Sequence, residues 1–137
     1  MHEEKVVRKV ILGSLKGNTQ GLGKDIVAAT LRAAGFQVLD LGVDVSPERF
    51  VDAAGREKAK IIGISISVNE TVPFLRDVIN NLKQKNLRDK VRIVVGGQAV
   101  SEQTCKEYEV DAYAKDSDDC VKKVRYLLKL QETTQKT

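Results

Sequence analysis

A glycine-rich segment of small polar residues offers the clearest chemistry in this sequence. It spans residues 13–25, and its small and polar members include Gly17, Asn18, Thr19, Gln20, Gly21 and Gly23. Glycines let a ligand approach the backbone closely. The free N–H groups at the start of a following helix can bind polar groups of that ligand. The segment therefore predicts a ligand-binding turn.

The residues on either side of this turn predict a strand before it and a helix after it. Residues 8–12 form a short β-branched stretch, and residues 22–34 place apolar side chains at helical spacing before Gly35 ends the pattern. In open α/β sheets, a turn from strand to helix lies at the carboxyl ends of the strands, where ligands bind. The turn thus occupies the usual position of a binding site.

The rest of the chain alternates between strand and helix patterns. Further strands are predicted over residues 36–41, 61–66, 91–95 and 112–114, and further helices over 47–57, 72–83, 101–108 and 117–130. This alternation predicts a three-layer, doubly wound α/β domain with a parallel five-stranded sheet in the flavodoxin-like (Rossmann-like) order 2-1-3-4-5. We expect one domain over residues 1–130 and a polar tail over 131–137 that frays.

Composition favours a cytoplasmic protein that binds neither membranes nor nucleic acid. No apolar run approaches the roughly 20 residues of a membrane span, and the N-terminus has mixed charges unlike a signal peptide. The net charge of +4 comes from basic residues scattered among acids, without interleaved aromatics. Cys105 and Cys120 lack metal-type spacing and are expected to be reduced thiols.

The glycine pattern does not match the common nucleotide-binding loops. Aligned as a P-loop, the segment places Asn18 at the first glycine position and Asp25 at the magnesium-binding hydroxyl position. Aligned as a dinucleotide-binding fingerprint, it places Ile26 where a third small residue is required. These three mismatches exclude both motifs.

Two other proteins with this type of fold fit only in part. Residues 14–19 are similar to a flavodoxin phosphate loop, but the later loops at 67–69 and 96–98 contain no aromatic side chain to bracket a flavin. FMN binding therefore stays a distant alternative. A response regulator is also disfavoured, because Ser65 stands where its phospho-acceptor aspartate should be.

From about Val10 to Leu128 the sequence resembles the cobalamin-binding domain of corrinoid proteins, most closely those of methyltransferase systems. The family's Gly-Asp-x-His-x-x-Gly motif aligns with residues 17–23, and its Gly-Lys-Asn-Ile-Val run aligns with 23–27. The other matching segments are 33–45, which is similar to the second strand and its exit, 63–68 at the Ser-x-Leu motif, Gly96-Gly97, and 111–116, which resembles the segment facing the nucleotide tail.

The resemblance implies that a corrin ring lies across the carboxyl ends of the strands. It also implies that the dimethylbenzimidazole tail leaves cobalt and enters a slot along the sheet. The cofactor-binding residues implied for a cobalamin or related corrinoid are Asn18, Thr19, Gln20, Gly21, Leu22, Gly23, Ser65, Ser67, Val68, Gly96, Gly97, Tyr113 and Ala114.

The sequence departs from the family at the residues that would hold cobalt. Gln20 stands at the position of the cobalt-ligating histidine, and Asn18 at that of the aspartate behind it. A glutamine carbonyl is a poor ligand, and asparagine cannot take up a proton as the usual carboxylate can. The only histidine, His2, precedes strand one and is not expected to replace the missing ligand. No residue is therefore assigned as a certain metal ligand.

The resemblance implies a corrinoid-binding methyl carrier without catalytic activity of its own. We expect partner methyltransferase or activase proteins, and a monomer or homodimer. The family's N-terminal helical cap is not seen before strand one, so the upper corrin face is expected to be open or covered by another protein. The alternatives are a corrinoid storage or delivery protein, a mutase-like small subunit, and a corrinoid-free interaction or sensory domain.

Overall fold

The described part of the chain folds around a five-stranded parallel sheet. The computed structural model describes the backbone of residues 8–135 and the side chains of residues 8–131. The strands are β1 (Lys9–Ser14), β2 (Gln37–Asp40), β3 (Ile61–Ser65), β4 (Arg92–Gly96) and β5 (Ala112–Tyr113). Their order is β2-β1-β3-β4-β5, and every pairing is parallel. The predicted fold class and strand order are confirmed.

Within residues 8–135, five α-helices cover the two faces of this sheet. They are α1 (Leu22–Ala33), α2 (Pro47–Glu57), α3 (Phe74–Gln84), α4 (Glu102–Tyr108) and α5 (Ser117–Gln135), with a 3-10 turn over Asn69–Thr71. Helices α1 and α5 pack together on one face, while α2, α3 and α4 pack on the other. None of the described helices is both long enough and apolar enough to cross a membrane.

Each face has its own apolar core, and the two cores differ in extent. The core beneath α2, α3 and α4 is continuous and includes the fully buried Phe50. The core beneath α1 and α5 includes Val10, Leu31, Phe36 and Ile61. Val10 and Ile61 pair in register near the amino ends of their strands. Further along β3 on the same face stands Gly63, where a cavity takes the place of packed side chains.

The C-terminal boundary differs from the prediction. Helix α5 continues to Gln135 rather than ending near Leu130. Gln131 is buried, and its Nε2 donates a hydrogen bond to the backbone oxygen of Lys90 over 2.9 Å. This contact anchors the start of the segment that was predicted to fray. Residues 136–137 of that tail, and His2, lie outside the described residues.

Candidate cofactor-binding site

A cavity of about 480 Å³ lies on the α1 and α5 face of the sheet, at the carboxyl ends of the strands. Leu12, Gly63 and Val94 stand side by side in register on three neighbouring strands and form its floor. Residues from α1 form one wall, and residues from the start of α5 and the segment before it form the other. Its location is the ligand-binding edge of doubly wound folds.

Glycines on the floor and rim create the space. Gly63 interrupts an apolar strand, and a Cβ added there would lie 3.0 Å from Cδ1 of Leu12. Gly96 ends β4, where an added Cβ would lie 3.2 Å from the backbone oxygen of Ala114. Gly97 has a φ of +117°, and a Cβ there would collide with the backbone of Ile66. A side chain at any of these positions would fill the cavity or distort its rim.

Two large apolar side chains are exposed at the mouth of the cavity. Leu22 and Ile26, one helical turn apart on α1, line the opening and are 75% and 51% exposed. Single exposed apolar residues are common, but adjacent ones beside a cavity indicate a surface that a ligand covers. The α1 wall is therefore suited to a partly apolar ligand that reaches out of the cavity.

The loop between β1 and α1 is held by the loop between β2 and α2. Lys16 donates its backbone N–H to the oxygen of Val45 over 2.8 Å, and Asp44 donates its own to the oxygen of Asn18 over 3.0 Å. The Asp44 carboxylate also accepts from the backbone N–H of Gly17 over 2.9 Å. These contacts hold the glycine-rich loop in place against the loop between β2 and α2.

Asn18 and Gln20 have different tasks in this loop. Asn18 is fully buried, and its Nδ2 donates to the backbone oxygen of Ser65 over 3.1 Å. Its Oδ1 accepts from the backbone N–H of Gln20 over 3.2 Å, while Ser14 Oγ donates to the Gln20 backbone oxygen over 3.0 Å. The Gln20 backbone is thus fixed on both sides, and this exposed residue lines the cavity.

An ion cluster around the buried Lys24 braces the first turn of α1. The Lys24 side chain is 4% exposed, and its Nζ lies 2.6 Å from both Asp25 Oδ1 and Asp40 Oδ2. Burial alone would lower the pKa of Lys24, but hydrogen bonds and charge interactions with the two carboxylates outweigh it and raise the pKa. Lys24 therefore stays charged and is neutralised locally, and it ties α1 to the end of β2.

The cavity brings together most of the residues predicted from the sequence. Those that line it are Gln20, Leu22, Gly23, Ser65, Ser67, Gly96, Gly97 and Ala114. Asn18 lies behind the loop as a support, and Thr19 is exposed on the same loop. Gly21 lies close to Val43, since a Cβ added to the glycine would be 3.2 Å from Cγ1 of that valine. Val68 is half-buried beyond β3 and does not line the cavity.

Tyr113 is not brought to the cavity. It packs against the core beneath α2, α3 and α4, whereas Ala112 packs on the opposite side of the sheet. The reason is the alternation of side chains along a strand. Of its two neighbours, Ala114 lines the cavity.

Several lining residues were not predicted from the sequence. They include Leu12, Lys24, Ile26, Gly63, Val94 and Cys120. A glycine inside an apolar strand often marks a close approach by a ligand or backbone, so Gly63 carried a usable signal. Cys120 is a free thiol in a buried position, and desolvation raises its pKa to about 11. It therefore contributes a neutral, weakly polar surface to the wall.

The fold and the cavity define the class of protein. A parallel sheet in the order 2-1-3-4-5, with a glycine-floored cavity beside the first strand-to-helix loop, is a flavodoxin-like ligand-binding domain. Residues 8–121 match the family model described as the B12 binding domain. The chain belongs to this family of B12-binding domains.

Its relatives include proteins that are named as corrinoid proteins. The chain is 36% identical over 119 residues to dimethylamine corrinoid protein 3 of Methanosarcina mazei, covering 87% of this chain and 71% of that protein. It is 37% identical over 128 residues to a corrinoid protein of Desulfitobacterium hafniense, covering 93% of this chain and 59% of that protein.

The chain is also similar to solved structures that are named for cobalamin. A cobalamin-binding protein from Desulfitobacterium hafniense superposes with a TM-score of 0.82 at 29% identity, over 85% of this chain and 57% of that one. The methanol:cobalamin methyltransferase complex MtaBC from Methanosarcina barkeri gives 0.80 at 25% identity, over 92% and 47%. This chain therefore spans only about half the length of either solved chain.

Proposed function

We propose that this chain binds a corrinoid, with the cofactor's nucleotide tail in the cavity, and serves as a methyl-carrier domain of a methyltransferase system. The observation that carries the proposal is the glycine-floored cavity beside the loop that presents Gln20. When bound, the corrinoid supplies a cobalt centre that can accept and donate a methyl group. The protein's contribution is to bind this cofactor and orient it.

The lining residues fit such a cofactor. Gly63 and Gly96 line the cavity without a side chain and so leave room above the sheet for a planar base. Ser65 and Ala114 would lie against the tail, and the loop carrying Thr19 and Gln20 would face the underside of the corrin. The exposed Leu22 and Ile26 would pack against apolar parts of the cofactor.

The lining residues can accommodate the nucleotide tail, but they do not supply a strong ligand for cobalt. The sequence has a single histidine, His2, so no imidazole is available from residues 8–135. At position 20 the loop offers a neutral amide, and the buried residue behind it is also an amide. We infer that the protein holds the corrinoid mainly by its tail and ring edge. Gln20 or water would then lie against the lower face of the corrin ring.

The partners are proposed from the relatives. One similar structure is the methanol:cobalamin methyltransferase complex MtaBC, and the named relatives include dimethylamine corrinoid protein 3. By this likeness the chain would pass a methyl group between partner methyltransferases. The monomeric or homodimeric state and the cytoplasmic location stay predictions from the sequence.

A second candidate function is corrinoid storage or delivery. The amide at position 20 favours it, because a protein that only holds the cofactor does not need an imidazole to displace the cofactor's own base. In that case the base stays on cobalt. The two functions therefore predict different coordination of the bound cofactor.

The test is an absorbance spectrum of the protein after incubation with hydroxocobalamin and desalting. Retention of a corrinoid spectrum at a near-equimolar ratio supports the proposal. A base-off form among the retained cofactor indicates binding with the tail in the cavity, and a base-on form indicates the storage mode. Loss of all corrinoid with the small molecules would overturn both.

A further inference from the structure

The side chains that line the cavity are polar at its mouth and mostly apolar at its floor. The buried lining residues whose apolar or weakly polar side chains lie on the α1 and α5 side of the sheet are Leu12, Val94, Ala114 and Cys120, while Ile64 and Val95 pack into the core on the opposite side. Lys24 is the charged exception among the buried lining residues, and both of its carboxylate partners lie 2.6 Å away. The floor and inner walls thus offer almost no side-chain hydrogen bonds to a ligand.

Polar lining residues lie toward the mouth. Gln20, Gln98, Lys115 and Asp116 are exposed, while Ser65, Ser67 and Ser117 are half-buried. Hydroxyls can donate or accept, so a half-buried serine can satisfy one polar atom of a group that enters the cavity. Such a group would find a few polar contacts at its entrance and an apolar surface beyond.

Resting on the proposed corrinoid binding, we propose that this cavity selects corrinoids whose lower base is a benzimidazole over those whose lower base is a purine. A benzimidazole attached to ribose has one remaining ring nitrogen, and its other edge is purely apolar. An adenine has several remaining ring nitrogens and an amino group. Ser65 or Ser117 can satisfy the single acceptor of the benzimidazole, but the inner wall cannot satisfy the additional polar atoms of the purine.

The magnitude follows from the penalty for burying an unpaired polar group. Such a group loses its hydrogen bonds to water, gains none from Val94 and gains at most a weak one from the Cys120 thiol. A single unsatisfied group weakens binding by roughly five- to 150-fold. We therefore expect the adenine form to bind at least about tenfold more weakly than the benzimidazole form.

Cys120 is the lining residue that tests this selection with the smallest change. It is 5% exposed, and the raised pKa of its thiol reflects a desolvated site. Cys120→Ser introduces a hydroxyl of similar size at the inner wall, which can pair with a polar atom of the purine. Cys120→Ala removes the sulfur without adding a polar group and is the matched control.

The experiment measures dissociation constants for cobalamin and for adeninylcobamide by absorbance or calorimetric titration. The wild-type protein should favour cobalamin by about tenfold or more. Cys120→Ser should reduce this ratio severalfold, and Cys120→Ala should not reduce it. If Cys120→Ser lowers the melting temperature strongly, Val94→Thr places a hydroxyl on the floor instead and should give the same reduction.

The outcomes separate this inference from the proposed function. Equal, measurable affinities of the wild-type protein for both cofactors would overturn base selection while leaving corrinoid binding intact. If neither Cys120→Ser nor Val94→Thr reduces the preference for cobalamin, the apolar wall is not the cause of that preference. Failure to bind either cofactor would overturn the proposed function itself.

Discussion

Asn18 donates a hydrogen bond from Nδ2 to the backbone oxygen of Ser65 over 3.1 Å and so ties the glycine-rich loop to the end of β3. The same amide accepts from the backbone N–H of Gln20 through Oδ1. Donating on one side and accepting on the other is natural for an amide and impossible for a carboxylate. The Asn18–Gln20 pair is therefore a neutral unit, in which neither side chain titrates.

Asn18→Asp should destabilise the fold, and the effect should depend on pH. An ionised carboxylate would be buried against the Ser65 oxygen, with an expected loss of about 2–4 kcal/mol at pH 8. Burial raises the folded-state pKa of the introduced carboxyl, so its unfavourable effect grows as pH rises above about 4 and fades below it. Urea unfolding at pH 8 and pH 4.5 measures this.

Thr19→Asp is the control for that variant, because it adds the same charge to the exposed neighbouring residue. It should change the free energy of unfolding by less than about 0.5 kcal/mol. Equal stabilities of Asn18→Asp and the wild-type protein at both pH values would contradict the assigned role of the amide.

Gln20→His should give the bound corrinoid a nitrogen ligand from the protein. The neutral imidazole ligates metal, so the cobalt absorbance bands should shift at pH 8. The shift should be lost as pH falls below the imidazole pKa, ordinarily about 6.5. Gln98→His, at another exposed lining position, serves as the control. An unchanged spectrum for Gln20→His at pH 8 would show that residue 20 does not face cobalt.

Lys24→Met should loosen α1 by leaving Asp25 and Asp40 without their shared cation. Breaking a fully buried pair costs about 3–5 kcal/mol. Here Asp25 and Asp40 are 64% and 23% exposed, so we expect about 1–3 kcal/mol. Lys122→Met, on the exposed face of α5, should have little effect.

The stabilising effect of Lys24 should also decline at high pH. Its folded-state pKa is raised, so its contribution is fully present below the unfolded pKa of about 10.4 and is lost as pH rises through the folded value. Wild-type and Lys24→Met proteins should therefore converge in stability only above about pH 10.5. A constant difference up to and beyond that pH would contradict the ion cluster.

The Cys120 thiol should react slowly, because the thiolate is the reactive form. With a pKa of about 11 and 5% exposure, it should label at least about 100-fold more slowly than free cysteine at pH 8. The measurement is the rate of reaction with a disulfide reagent in a Cys105→Ser background. The rate should rise with pH toward 11 and fall when corrinoid is bound. Rapid labelling at pH 8 would contradict the buried, desolvated environment of the Cys120 thiol.

Local patterns were sufficient to predict the fold and the end of the sheet at which the cavity lies. The alternation of strand and helix patterns required a parallel sheet, and the glycine-rich loop between Gly17 and Gly23 indicated that end of the sheet. Helix α2 begins at Pro47 as predicted, with Ser46 Oγ accepting from the backbone N–H of Arg49. Each of these features depends on residues that are neighbours in the chain.

Features that depend on pairing between distant segments could not be predicted. The support of Asn18 by Ser65 joins residues 47 positions apart, and the anchoring of Gln131 by Lys90 joins residues 41 positions apart. The floor of the cavity depends on the register that places Gly63 between Leu12 and Val94. Strand alternation turned Tyr113 to the other face, which a short segment matched by resemblance does not reveal.

The cavity above Gly63 is proposed to hold the nucleotide tail of the cofactor. The decisive measurement is the dissociation constants of cobalamin and of cobinamide, which lacks that tail, for the wild-type protein and Gly63→Ala. Gly55→Ala is the matched control, because a Cβ there meets its nearest neighbour at an ordinary 3.5 Å. The wild-type and Gly55→Ala proteins should bind cobalamin at least about tenfold more tightly than cobinamide. Gly63→Ala should weaken cobalamin binding alone. Equal affinities of the wild-type protein for the two ligands would contradict the claim.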